Sequence, residues 1–135
     1  MVDPARLRAQ PLLMDLDEHD RARVARWIEE VRAAPDELLI EQGSMPYELF
    51  LIESGTVDVV RDGAPLATLG AGDVVGEIAL LAQQRRMASV RARTPVVALA
   101  LPAEAFVQIA TEMPEFADEL RQLMISRRAA GPADT

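Results

Sequence analysis

A chain of 135 residues makes one domain, long enough to bury a real core. Half of its residues are hydrophobic, but no run reaches the length of a membrane span. It has no cysteine, which excludes a disulfide framework and a thiolate metal site. The formal net charge of −8 makes the chain a poor candidate for nonspecific nucleic-acid binding, which rests on neutralising phosphates. Every cation other than the lone His19 is an arginine, for there is no lysine. Met1-Val2-Asp3-Pro4 carries no apolar signal region. These features predict a soluble, cytoplasmic chain that neither enters a membrane nor binds nucleic acid directly.

Residues 1–15 show little periodicity, and the patch Leu12-Leu13-Met14 is expected to dock on the domain. Asp17 has the chemistry of a helix N-cap. Val24, Trp27, Ile28 and Val31 then recur at i, i+3, i+4 and i+7, with Arg21, Arg23, Arg26, Glu29, Glu30 and Arg32 covering the other face. The spacing predicts one helix over about 17–34, stopped before Pro35, with Trp27 as a core anchor.

From Glu37 to Leu101 the character changes. Six of the seven glycines lie between Gly43 and Gly76. They punctuate short β-type runs: Leu38-Ile40, Leu49-Ile52, Thr56-Val60, Leu66-Leu69, Val74-Val75, Ser89-Ala92 and Val96-Leu101. Asp62-Gly63 between two of them is a strong hairpin signal. Short strands closely punctuated by turns predict a barrel or jelly roll over about 37–101.

The last third is helical. Pro102 suits a first helical position, followed by the stripe Phe106, Ile109, Ala110 and Met113. Pro114 restarts the chain, and Phe116, Leu120, Leu123 and Met124 make a second stripe. Arg127-Arg128 suits a helix C-terminus. Helices are expected over about 102–128, with a disordered tail at 129–135.

The chemistry concentrates between Gly72 and Ala92. Val74-Val75 ends a strand, and Gly76 permits a turn or a close backbone approach. Glu77 to Leu81 forms one helical turn, whose leading N–H groups attract anions. Nine residues after Glu77 stands Arg86, whose planar fork suits a phosphate. Its neighbour Arg85 points the opposite way if this segment is extended. A carboxylate, a set of backbone donors and a guanidinium together fit a ligand with a sugar diol at one end and a phosphate at the other.

The run Gly76-Glu77-Ile78-Ala79-Leu80-Leu81, a short spacer, then Arg86-x-Ala88-Ser89-Val90-x-Ala92 resembles the phosphate-binding cassette of cyclic nucleotide-binding domains. That family includes catabolite-activator regulators, the regulatory subunits of cyclic-AMP-dependent kinase and cyclic-nucleotide-gated channels. The cassette spans about 75–92 and the resemblance runs from Leu12 to Arg128, with Gly43, Gly55, Gly70 and Gly72 at the spacing of the family's β-roll. It implies that Glu77 binds the ribose 2′-hydroxyl and that Arg86 pairs with the cyclic phosphate. Val75, Gly76, Ile78, Ala79, Met87 and Ala88 would complete the cradle. It also implies that the last helix swings over the pocket as a lid, with Arg121, Met124, Arg127 or Arg128 capping the base. Three positions depart from the family pattern: Arg85 replaces a common Pro, Met87 a common Ala, Ser or Thr, and Val75 a common aromatic residue. A Thr at position 87 tends to favour cGMP in the family, and Met87 has no hydroxyl to offer.

The expectation is therefore an α+β fold, an antiparallel β-roll with helices at both ends. Its function is reversible binding of cAMP, ahead of cGMP, in a regulatory sensor that acts through a separate effector protein, with a homodimer as a further possibility. It is not expected to be an enzyme: His19 sits among Asp17, Glu18 and Asp20 without a positioned nucleophile. No metal and no cofactor are expected beside the nucleotide, since a metal-binding β-barrel needs several histidines. The alternatives are a ligand-independent interaction module of the same fold, or the sensor of a larger transcription regulator, because no dimerisation helix or helix-turn-helix follows Arg128.

Overall fold

The computed structural model describes residues 1–130, except the side chains at 78, 81, 120, 123–125 and 127–130. A 3-10 helix, Pro4–Ala9, leads to α1, Glu18–Ala25. Eight strands follow: β1 Glu29–Ala33, β2 Leu38–Ile40, β3 Glu48–Ser54, β4 Val57–Arg61, β5 Ala64–Leu69, β6 Val74–Val75, β7 Ser89–Ala92 and β8 Val96–Pro102. The short helix α2, Glu77–Ala82, lies between β6 and β7. Helices α3, Ala103–Glu112, and α4, Pro114–Ala130, close the described chain. Among the described residues no helix is long and apolar enough to cross a membrane.

The strands form two four-stranded antiparallel sheets, in the orders β1-β8-β3-β6 and β2-β7-β4-β5. This is the expected β-roll with flanking helices, as two packed sheets instead of a closed barrel. The seven sequence-read strand runs match β2 to β8. At the Asp62-Gly63 turn both residues have positive φ, 52° and 79°, the backbone of a two-residue hairpin that matches strand twist.

The continuous apolar run of β3 follows from burial on both faces. Leu49 and Leu51 pack with Val24, Ile28, Leu99, Leu101, Phe106 and Phe116, the layer between the first sheet and the helices. Phe50 and Ile52 alternate onto the other side, with Val59, Val75, Val90 and Ala98, the layer between the sheets. Gln10 reaches the end of β3, its Nε2 donating to the Ile52 carbonyl at 3.0 Å. Arg6 forms ion pairs with Glu53 and Glu30 at 2.6 and 2.8 Å; the bonds to Glu53 and then Glu30 hold its guanidinium above its ordinary pKa.

The N-terminal expectation needs correction. Asp17 does cap α1, accepting from the Asp20 amide at 2.8 Å, but the helix stops at Ala25 instead of continuing to about 34. Residues 29–33 pair instead with β8, Glu29 opposite Ala100 through Ala33 opposite Val96. The helical spacing over 24–31 was a coincidence of two elements: Val24 closes the helix and Ile28 the turn, and both are fully buried. Trp27 rides on that turn and is 39% exposed, so it is not a core anchor. Sheet pairing, a tertiary gain, overrides the local pattern. Smaller corrections concern the ends of α3 and α4. Pro102 ends β8 and occupies the N-cap of α3, and Ala129 and Ala130 belong to α4. The rest of the expected tail, 131–135, lies outside the described residues. Of the docking patch, Leu13 is buried while Met14 is exposed.

Leu51→Ala should therefore cost about 2–5 kcal/mol in urea unfolding, and Trp27→Ala less than about 1 kcal/mol. A larger loss at Trp27 than at Leu51 would contradict this placement of the core.

Candidate functional site

β6 ends at Gly76, which has φ +86°, a left-handed conformation that only glycine adopts without strain. It is also the N-cap of α2. A Cβ built there would lie 2.7 Å from Arg86 Nη1 and 3.0 Å from Ile40 Cδ1. Both sequence readings of Gly76, the turn and the close approach, thus hold at once.

The group that needs the space is Arg86, only 4% exposed. Its Nη1 donates to the Gly76 carbonyl at 2.6 Å and its Nη2 to the Glu48 carbonyl at the start of β3. The Arg86 backbone is fixed as well: its N–H donates to the Ser44 carbonyl at 2.9 Å and its carbonyl accepts from Gly43 at 2.8 Å. Burial pushes the guanidinium below its ordinary pKa, while the charges of Glu48 and Glu77 oppose that shift. Glu77, the first residue of α2, is fully buried. A buried arginine and a buried glutamate thus meet at one turn.

The other cassette residues fall into two groups. Val75, Ala79 and Ala88 are fully buried. Met87 is 39% exposed, with its Sδ accepting from Gln84 Nε2 at 3.0 Å. Ile78 is the second residue of α2, and its side chain lies outside the described residues. Arg85 is exposed and donates from Nη1 to the Gly43 carbonyl at 2.9 Å, which ties the β2–β3 turn to the cassette. The two adjacent arginines therefore point apart.

A cavity of about 300 Å³ lies in front of Arg86, lined also by Ile40, Ser44, Glu48 and Phe50. Met45 and Tyr47 line both this cavity and an apolar groove of about 600 Å³ beside α2, α3 and α4. Of the four lid candidates, Arg121 lines that groove and pairs with Asp118 at 3.2 Å. The side chains of Met124, Arg127 and Arg128 lie outside the described residues. The Tyr47 carbonyl accepts from the Ala103 amide at 2.8 Å, linking this loop to the start of α3.

Sequence reading missed the backbone of Gly43, Ser44 and Glu48, because carbonyl partners leave no side-chain signature. It also missed Arg61, whose Nε donates to the Met87 carbonyl at 3.1 Å. Its place just before the Asp62-Gly63 turn was the available signal.

The family model of the cyclic nucleotide-binding domain matches residues 30–112, more than half of the chain. The chain belongs to that family. A cAMP-dependent protein kinase regulatory subunit of Emericella nidulans is 33% identical over 105 residues, 76% of this chain and 26% of that protein. A cGMP-dependent protein kinase, isozyme 1, of Drosophila melanogaster is 33% identical over 134 residues, 90% of this chain and 17% of that protein. The catabolite activator protein of Thermus thermophilus superposes with a TM-score of 0.81 at 27% identity, covering 90% of this chain and 59% of that one. This cyclic nucleotide-binding domain spans about a quarter of the length of the kinase regulatory subunit it matches.

Gly76→Ala should lower the thermal unfolding midpoint measurably, because a Cβ strains the φ +86° backbone and collides with Arg86 Nη1. An unchanged midpoint would contradict the close approach.

Proposed function

We propose that this domain reversibly binds a 3′,5′-cyclic nucleotide, cAMP ahead of cGMP, and reports the bound state to a separate effector without catalysing a reaction. The observation that carries this reading is the meeting of buried Arg86 and buried Glu77 at the Gly76 turn, at the spacing of the family's cassette. A ligand that carries an anion at one end and hydroxyls at the other matches the chemistry of both groups.

In this reading the cyclic phosphate docks on Arg86 and on the backbone of Gly76, Ile78 and Ala79. Glu77 accepts from the ribose 2′-hydroxyl, and Val75, Met87 and Ala88 close the cradle. The preference for cAMP rests on Met87, which offers no hydroxyl to a guanine. The lid comes from α4. Arg121 faces the groove beside the cassette and is its described candidate, with Met124, Arg127 and Arg128 as the others. The nucleotide shifts the open and closed arrangements of α4 by its differential affinity for them.

A second reading is supported by the satisfied state of Arg86. Two backbone carbonyls already accept from its guanidinium, as in a structural bolt. In that case the domain is a ligand-independent interaction module, docking an effector or a second copy.

Calorimetric titration separates the two. Micromolar or tighter cAMP binding, about −8 kcal/mol or better, should weaken at least a hundredfold in Arg86→Ala, which loses a charged contact to phosphate. Equal affinity of wild type and variant would sink the phosphate assignment. No heat with either nucleotide would favour the interaction module.

A further inference from the structure

The chain has no cysteine, so its oxidisable sulfurs are the thioethers of six methionines. Oxidation selects the sulfurs that an oxidant can reach. Met113 is buried, whereas Met14, Met45 and Met87 are exposed. Of these, Met45 lines both the cavity in front of Arg86 and the apolar groove beside α2, α3 and α4, and Met14 lines neither. Met45 is 48% exposed and directly follows Gly43 and Ser44, which hold the Arg86 backbone.

The two sulfurs nearest Arg86 in chain or loop also differ chemically. Met87 Sδ already accepts from Gln84 Nε2 at 3.0 Å, which draws on its lone-pair density. Met45 Sδ takes no hydrogen bond among the described residues. Its lone pairs are free to react.

We propose that Met45 is an oxidation site, through which a peroxide lowers the affinity of this domain for its cyclic nucleotide. A sulfur lone pair attacks one oxygen of hydrogen peroxide, the S–O bond forms and the O–O bond breaks. The proton left on the transferred oxygen passes to the departing hydroxide, which leaves as water. Sulfur is oxidised to the sulfoxide and the peroxide is reduced. A flexible apolar side chain thereby becomes a polar one. The groove it lines holds Leu80, Phe106, Val107 and Ala110, and a polar group enclosed against such a lining by a ligand costs affinity. In the cavity, a sulfoxide oxygen competes with phosphate for the same donors. A methionine sulfoxide reductase would reverse the change. This inference rests on the cyclic nucleotide reading above.

The test is titration with cAMP of wild type and Met45→Leu, each before and after hydrogen peroxide. Mass spectrometry maps the sulfoxides, and thermal unfolding checks the fold of the treated protein. Leucine has nearly the volume of methionine and no sulfur. Treated wild type should bind at least about tenfold more weakly, and reductase treatment should restore it. Treated and untreated Met45→Leu should bind alike. Bound cAMP should slow oxidation of Met45 but not of Met14, a readout that stands even if the leucine variant does not fold. Unchanged affinity with Met45 oxidised would overturn the inference. So would an equal loss in Met45→Leu, or a Met45 that stays reduced while Met14 oxidises. Failure of untreated wild type to bind cAMP or cGMP would remove the function reading, and this inference with it.

Discussion

An arginine head group inside a protein must find acceptors, because an uncompensated buried charge costs several kcal/mol. Here the Arg86 guanidinium finds them in two backbone carbonyls, Gly76 and Glu48, which belong to different segments of the chain. Much of the local structure follows from that seat. Position 76 must be a glycine, because the guanidinium occupies the space of a Cβ. The β2–β3 turn must lie close, because Gly43 and Ser44 hold the Arg86 backbone on both sides. The start of β3 is drawn to the same point through Glu48.

Around this seat the packing is divided. β3 and β8 are buried on both faces, and each alternates between the helical layer and the layer between the sheets. On the inter-sheet side β8 presents Val96, Ala98 and Ala100, and β7 is preceded by Ala88, whereas on the helical side β8 presents Leu99 and Leu101 to Phe106 and Phe116. The bulk of the core therefore supports the helices, and the smaller residues lie in the layer that contains Phe50 and Ile52. Strong apolar packing stands behind the site without filling it.

Much of this was legible in the sequence, for physical reasons that differ by element. Strands β2 to β6 were readable because glycines and the Asp62-Gly63 turn punctuate them, and β7 and β8 because they are β-type apolar runs parted by Arg93-Thr94-Pro95. The cassette was readable because Gly76, Glu77 and Arg86 are chemically distinctive at their spacing. Strand β1 was not, because Val24, Ile28 and Val31 fall at helical intervals by accident and only pairing with β8 decides otherwise. The partners of Arg86 were also hidden, since a carbonyl has the same chemistry under any side chain. Arg61 was passed over because a single arginine beside a hairpin turn reads as a solvated residue until its contact with Met87 is seen.

The loop that ends at β3 has a mechanical meaning. Tyr47 gives its carbonyl to the first amide of α3, and Glu48, the next residue, gives its carbonyl to Arg86. Only the two soft backbone dihedrals of Glu48 separate these anchor points. The arginine seat and the root of the C-terminal helices are thus joined by a short rigid link, with no side-chain rotamer between them to absorb a displacement.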